Sequence, residues 1–313
     1  MILSLWRLRT PSYDLSGLPL LRLDAVARIP QRIARQLEEV EGVDLALRLT
    51  LLTLLLRQIG TGVVRPLILG LAVLGLLLPR LLRHPGIWIA LTVLTGVRVV
   101  GEWSLADNHA YLLCYWCFAI SLALVSHSVS ACLALNGRLL IGGAFALAVL
   151  WKVALSPDYL DGRFFQVILL TDTRFADFAQ VVGGLSPEVL ADLRAYVQGG
   201  LSDPELLPQM PARFVWLAHG MTLWTVLIEG AVALSFIWPG ERGLTSLRNL
   251  FLLGFCLTTY TVVPVEGFGW LLLSMGIAQS GSAGLSTRLG YLATFAVILF
   301  CREVSWLGWL VSR

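Results

Sequence analysis

Charge is scarce in this sequence. Only 14% of its 313 residues are Asp, Glu, Lys or Arg, where a soluble domain carries roughly a quarter. That is too little charge to coat a globule in water. Cysteine is also scarce: there are five, at 114, 117, 132, 256 and 301, all in or beside apolar runs. An odd, scattered set is not a disulfide framework. The opening residues, MILSLWRLRTPSYDLSG, have no basic region ahead of an apolar core and no small-residue cleavage site, so no signal peptide is expected. Gly70, Gly75, Gly142 and Gly143 stand in apolar runs, where small residues allow close helix packing, and nothing suggests a nucleotide site. The scattered arginines do not make a nucleic-acid surface. No HxxH or HExxH spacing, no internal repeat and no low-complexity tract is visible.

What is abundant is apolar sequence. Hydrophobic residues make up 57% of the chain and the mean hydropathy is +0.78. Several runs approach the roughly 20 residues needed to cross a bilayer. The fold class is therefore all-α, a polytopic transmembrane helical bundle. Residues 1–42 form an exception: Arg28, Arg32 and Arg35 alternate with Ala25, Ile29, Ile33 and Ala34, which reads as an amphipathic surface helix interrupted at Pro30. Membrane segments are expected at 63–83, 86–101, 108–127, 131–155, 212–238 and 289–311. The stretch 248–280 reads as one long helix broken at Pro264 and Gly267, or as two half-helices. The polar segment 156–210 should hold two short helices, 174–182 and 187–197.

Orientation follows from the arginines. The turns RLLRHPG and PGERGLTSLR are basic, EWSLADN is acidic, and residues 158–210 hold eight acids against three arginines. With basic turns in the cytoplasm these alternate without contradiction, provided the arginine-rich N-terminus is cytoplasmic too. That requires one more crossing, and 43–62 is the only candidate, giving seven to eight segments. Asp107–His109 and Lys152–Asp158 then lie on the same, non-cytoplasmic face of a bacterial inner membrane.

Four constellations could carry chemistry. In Asn108-His109-Ala110-Tyr111-Leu112, His109 reads as a general base oriented by Asp107 or Asn108, or as a headgroup-zone residue beside a helix cap. Lys152 in LWKVALSPDYLDG reads as a desolvated amine able to act as a base, or as a snorkelling side chain. Cys114 and Cys117, spaced CxxC, put two sulfurs on one helical face, as dithiol chemistry with a quinone would need, or are small core residues. His219 and Glu229 lie ten residues apart on one helix, within a quadrant of each other. An intramembrane glutamate needs a partner or a water-filled cavity.

Asn-His-x-Tyr-Leu at a helix start, followed by a lysine shortly before x-Pro-Asp-Tyr-Leu-x-Gly, resembles the HTTM family, the membrane domain shared with the vitamin K-dependent gamma-carboxylase. GFGWLLLSMGIA (267–278) is similar to the family's late membrane segment, and the resemblance spans about residues 43–310. It implies an active site on the non-cytoplasmic face, lined by Asp107, Asn108, Tyr111, Asp158, His219 and Glu229. His109 matches the family's histidine, and a lysine base starts oxygenation of a quinone-like lipid of vitamin K type. A peptide substrate or partner is the other implication, since one related group serves peptide-toxin maturation. Two departures stand. Position 154, where the family spacing puts the lysine, is alanine, and Lys152 comes two residues earlier, about 200° away on a continuous helix. The carboxylase's large C-terminal part has no counterpart in these residues, so peptide-glutamate carboxylation is not expected.

Overall fold

A computed structural model describes residues 41–57, 59–103, 105–198, 210–239, 243–263, 265, 267–281 and 284–304. The chain divides into units 1–40 and 41–313. The amphipathic stretch expected at the N-terminus lies outside the described residues.

All regular structure among the described residues is helical. The helices are α1 (Gly42–Arg57), α2 (Val64–Leu77), α3 (Pro79–Leu82), α4 (Pro85–Gly101), α5 (Asn108–Val125), α6 (Val129–Leu150) with a π-helical turn at Trp151–Leu155, α7 (Pro157–Leu160), α8 (Arg163–Thr171), α9 (Ala176–Val181), α10 (Pro187–Gln198), α11 (Ala212–Ile237), α12 (Arg248–Tyr260), α13 (Phe268–Ser280) and α14 (Leu285–Glu303). Among the described residues, four spans are long and apolar enough to cross a membrane: α5, Val129–Leu155, α11 and α14. Helices α2, α4 and α13 are apolar but shorter.

The centre of the bundle is the pair α1 and α13. Both are buried around nearly their whole circumference, as expected for helices that are apolar on all sides. Helix α13 packs on α1, α6, α12 and α14, and α1 also packs on α2. Inside, Thr50 and Thr53 of α1 return their hydroxyls to the carbonyls of Ala46 and Leu49. The buried Trp116 of α5 donates its indole N–H to Thr50 Oγ1 at 2.9 Å.

The expected segment 43–62 is helical only to Arg57, because Gly60 and Gly62 take positive φ. Its two ends are held at opposite ends of α4. At the start, Arg83 bonds Asp44 at 2.6 Å and also pairs with Glu41. At the end, Arg57 lies 3.8 Å from Asp107, and Arg302 of α14 donates to the Leu56 carbonyl at 3.2 Å. Helix α1 thus runs from the Arg83 end to the Asp107 end of the bundle, packed against α13 and α2.

Other boundaries also differ. The expected helix 63–83 is two helices, because Leu78 is extended and Pro79 opens the second. Of the two readings of 248–280, the structure has two half-helices, with Gly267 in the left-handed region at φ +80 opening α13. The final helix begins at Leu285, four residues early, and residues beyond 304 lie outside the described ones.

Between α6 and α11 the chain forms a separate cap. It contains more than the two short helices expected at 174–182 and 187–197: α7 and α8 precede a 3-10 turn at Thr173–Phe175, then α9 and α10. Its core gathers Tyr159, Phe165, Leu169, Phe175 and Leu190 with Phe214 and Ala218 from the start of α11. Helices α6 and α11 run antiparallel and meet at fixed levels. Gly142 lies against Phe236 and Ile237, with so little room that a Cβ would sit 2.9 Å from Ile237 Cγ1. Further along, Lys152 meets Glu229, Thr222 reaches the Tyr159 carbonyl at 3.4 Å, and Gly162 abuts the His219 ring.

Candidate functional site

Lys152 is the only lysine in the chain; the other 22 cationic side chains are arginine. It lies in the π-helical turn that ends α6. Such a turn closes i→i+5 hydrogen bonds and inserts an extra residue, which swings the following side chains by about 100°. The helix is therefore not continuous through this stretch. Within the turn Lys152 and Ala154 face different ways: Ala154 is exposed and Lys152 is the half-buried one, the reverse of what the spacing argument put outward. The amine points into the bundle, and Nζ lies 2.5 Å from both carboxylate oxygens of Glu229. The two side chains are 17% and 9% exposed. Nζ also sits 5.2 Å from the centre of the Tyr159 ring, so the cap's first helix closes over the pair from the outside. A lone charge among apolar helices is costly. Here the charges answer each other, and the bidentate geometry is of the kind that makes a buried pair tolerable.

Next to the pair, on the outer surface of α6 and α11, is an apolar notch of about 370 Å³. Ala146 and Val149 line one side; Gly230, Ala233, Ile237 and Trp238 line the other. Val149 precedes Lys152 by three residues and Gly230 follows Glu229, so the upper end of the notch lies within one helical turn of the ion pair, about 5 Å.

His109 belongs to a different cluster. Asp107 caps α5, accepting from the Ala110 amide at 2.9 Å, and His109 Nδ1 lies 3.4 Å from Asp107 Oδ2. That is ion-pair range but poorly aligned, and Nδ1 is buried without a hydrogen-bond partner. The imidazole rests on Phe268, with ring centres 4.2 Å apart. Arg57 approaches Asp107 from α1. Its side chain passes directly over Gly267, where a Cβ would fall 1.7 Å from Arg57 Cδ. Phe268 in turn meets Tyr260 edge-on at 6.2 Å.

Among the described residues, then, His109 and Lys152 are not in contact. Each has its own partner: Asp107 beside His109 and Glu229 on Lys152. The remaining sequence candidates are distributed as follows. Asn108 is exposed in the first turn of α5 and Tyr111 is half-buried. Asp158 is exposed and paired with Arg163 at 2.6 Å. His219 is exposed against Gly162. Its axial separation from Glu229, ten residues or about 15 Å, sends it to the cap instead of to the pair. Cys114 is half-buried, with its thiol 3.7 Å from the Thr92 carbonyl, and Cys117 is fully buried; both are free thiols. Sequence reasoning singled out Lys152 and Glu229 separately and missed their pairing. The available signal was that two solitary intramembrane charges of opposite sign sit on consecutive long helices. It also passed over Lys152 being the sole lysine.

Burial alone pushes the Asp107 carboxyl up. His109, the Ala110 amide and Arg57 outweigh it and hold the group below its ordinary value. A carboxyl depressed on folding contributes stability above its unfolded value, about 3.9, and that contribution is lost as pH falls through the folded one. Asp107→Asn should therefore flatten the acid limb of the thermal midpoint measured from about pH 6 down to about pH 3. An unchanged acid limb would show that this cluster contributes nothing to acid sensitivity.

A scan against protein-family models, a search of curated proteins and a search of solved structures each return no match for this chain.

Proposed function

We propose that this chain is a polytopic membrane enzyme of the HTTM type, with Lys152 and Glu229 as a proton-transfer pair acting on a quinone-like lipid. One observation carries the reading: the sole lysine is half-buried at a π turn and bonded through both oxygens to a buried glutamate on a helix long and apolar enough to cross a membrane. Arginine would serve any purely structural cation, and the chain uses arginine everywhere else. Lysine is the one of the two that can shed its proton. Glu229 takes the ammonium proton, leaving a neutral amine beside a protonated acid. The amine then accepts the proton of a hydroquinone hydroxyl, producing the phenolate and restoring the ammonium. The apolar notch supports the choice of substrate, since an isoprenoid tail can lie against α6 and α11 with its ring toward the pair. His109, in its own cluster, is a positioning residue in this reading, acting through Phe268 and Tyr260.

The test uses purified protein in detergent with a naphthoquinol. Wild type should bind the quinone saturably, read by quenching of its tryptophans, and consume oxygen with the quinol. Lys152→Met should keep binding and lose turnover. Absence of binding overturns the reading. Binding without turnover in wild type favours a second reading, a non-catalytic membrane factor for peptide maturation, export or immunity. That alternative is motivated by the amine's full engagement with both oxygens of Glu229, as a structural staple would have it.

The orientation proposed here puts Arg80 and Arg83 in the cytoplasm and the cap outside. Ser186 and Ser246 are both exposed. A cysteine placed at 186 should react with an impermeant maleimide added outside intact cells, and one at 246 should not. The reverse pattern would invert the topology.

A further inference from the structure

Helix α8 has two apolar sides. Phe165 and Leu169 face inward to the cap core, while Phe164 and Val167 are exposed together with Leu160 of α7. An exposed apolar stripe on a cap in water would be a liability. It is continuous, however, with the apolar end of the long helix below it, where Trp151, Val153 and Leu155 are also exposed. On the neighbouring helix α11, Trp216 is 75% exposed. Trp216 precedes His219 by three residues, and His219 abuts Gly162 at the turn between α7 and α8. A tryptophan that open on a membrane helix marks the headgroup layer. It stands about 4.5 Å further out than the α7–α8 turn. The stripe therefore lies at or inside the level of the headgroups.

From this placement we infer that the cap is a lipid-docked device: Leu160, Phe164 and Val167 insert into the interface of the outer leaflet. The charges beside the stripe suit that depth. Arg163 is bonded to both Asp158 and Asp161 at 2.6 Å, a paired cluster of net charge −1 that stays in the polar headgroup layer while apolar neighbours reach below it. The inference rests on membrane insertion of the helices and is independent of any chemistry at Lys152.

The test places the photoreactive residue p-benzoylphenylalanine at position 164 or 167 of the full chain, or at Glu188 of α10, which is exposed and polar. Each variant is reconstituted in phosphatidylcholine vesicles, irradiated and analysed by mass spectrometry. Positions 164 and 167 should yield protein–lipid adducts, and position 188 none above background. Two positions are used because Phe164 also contacts Tyr159 at 4.9 Å, and its replacement alone could disturb the cap. Adducts no more frequent at 164 and 167 than at 188 overturn the inference. So does a cross-linked dimer in place of lipid adducts, which would assign the stripe to a second copy of this chain.

Discussion

Glu229→Gln is expected to cost about 3 kcal/mol or more of stability, because removing one member of a buried ion pair leaves the other charge without compensation. The glutamate side chain is 9% exposed and the lysine 17%, so water can do little to replace the lost partner. The reciprocal change, Lys152→Met, should be milder, since a lone carboxyl can neutralise itself by taking up a proton. The double replacement by Met at 152 and 229 should recover most of the loss, because apolar residues of similar size need no partner. Thermal unfolding in detergent, followed by size exclusion, measures all three. Single variants within about 0.5 kcal/mol of wild type, the range of surface changes, would mean that the pair is solvated and that burial does not govern its chemistry.

Gly267→Ala should be almost as damaging, by a different route. The residue sits at φ +80, where an L side chain costs roughly 1–2 kcal/mol, and its Cβ would overlap the stem of Arg57. Overpacking of this kind adds about 1–3 kcal/mol. Arg57 cannot simply swing away without giving up its approach to Asp107. Arg57→Ala in the same background should therefore relieve part of the loss, and that non-additivity separates the steric part from the backbone strain. If Arg57→Ala gives no relief, backbone strain alone accounts for the effect. If Gly267→Ala itself is neutral, the close crossing of α1 over the start of α13 is not rigid.

Much of the architecture is readable from composition and punctuation. Apolar runs and sparse charge predict a helical bundle, and four described spans are long and apolar enough to cross a membrane. Asp107 marks the start of α5 as an N-cap, and Pro85 and Pro187 open their helices. The charge pattern asked for a crossing at 43–62; a helix, α1, is there, but it is not among the four described spans long and apolar enough to cross a membrane. Helix α8 was not readable, because RFFQVILLT has apolar residues on both faces and looks like a buried run. The break at Leu78 was missed because the hydropathy continues through Pro79. For the site, each reactive residue was visible but the partnerships were not. Lys152 and Glu229 are 77 positions apart, and no periodicity on either helix can reveal which levels of α6 and α11 meet. His219 was grouped with Glu229 by angle around the helix, which ignores about 15 Å of separation along it.

The π turn at Trp151–Leu155 and the non-helical backbone at Ser156 have a further consequence. Between Lys152 and the Pro157-Asp158-Tyr159 motif the chain is not a helical ruler. A residue gained or lost there changes the local winding and can leave the amine's direction almost untouched. Two sequences whose lysines stand at different counts from the same motif can therefore aim them at the same partner, and two with identical counts can aim them apart. In this segment spatial equivalence is set by what the amine meets, here the Glu229 carboxylate, and a residue count is a poor guide to it.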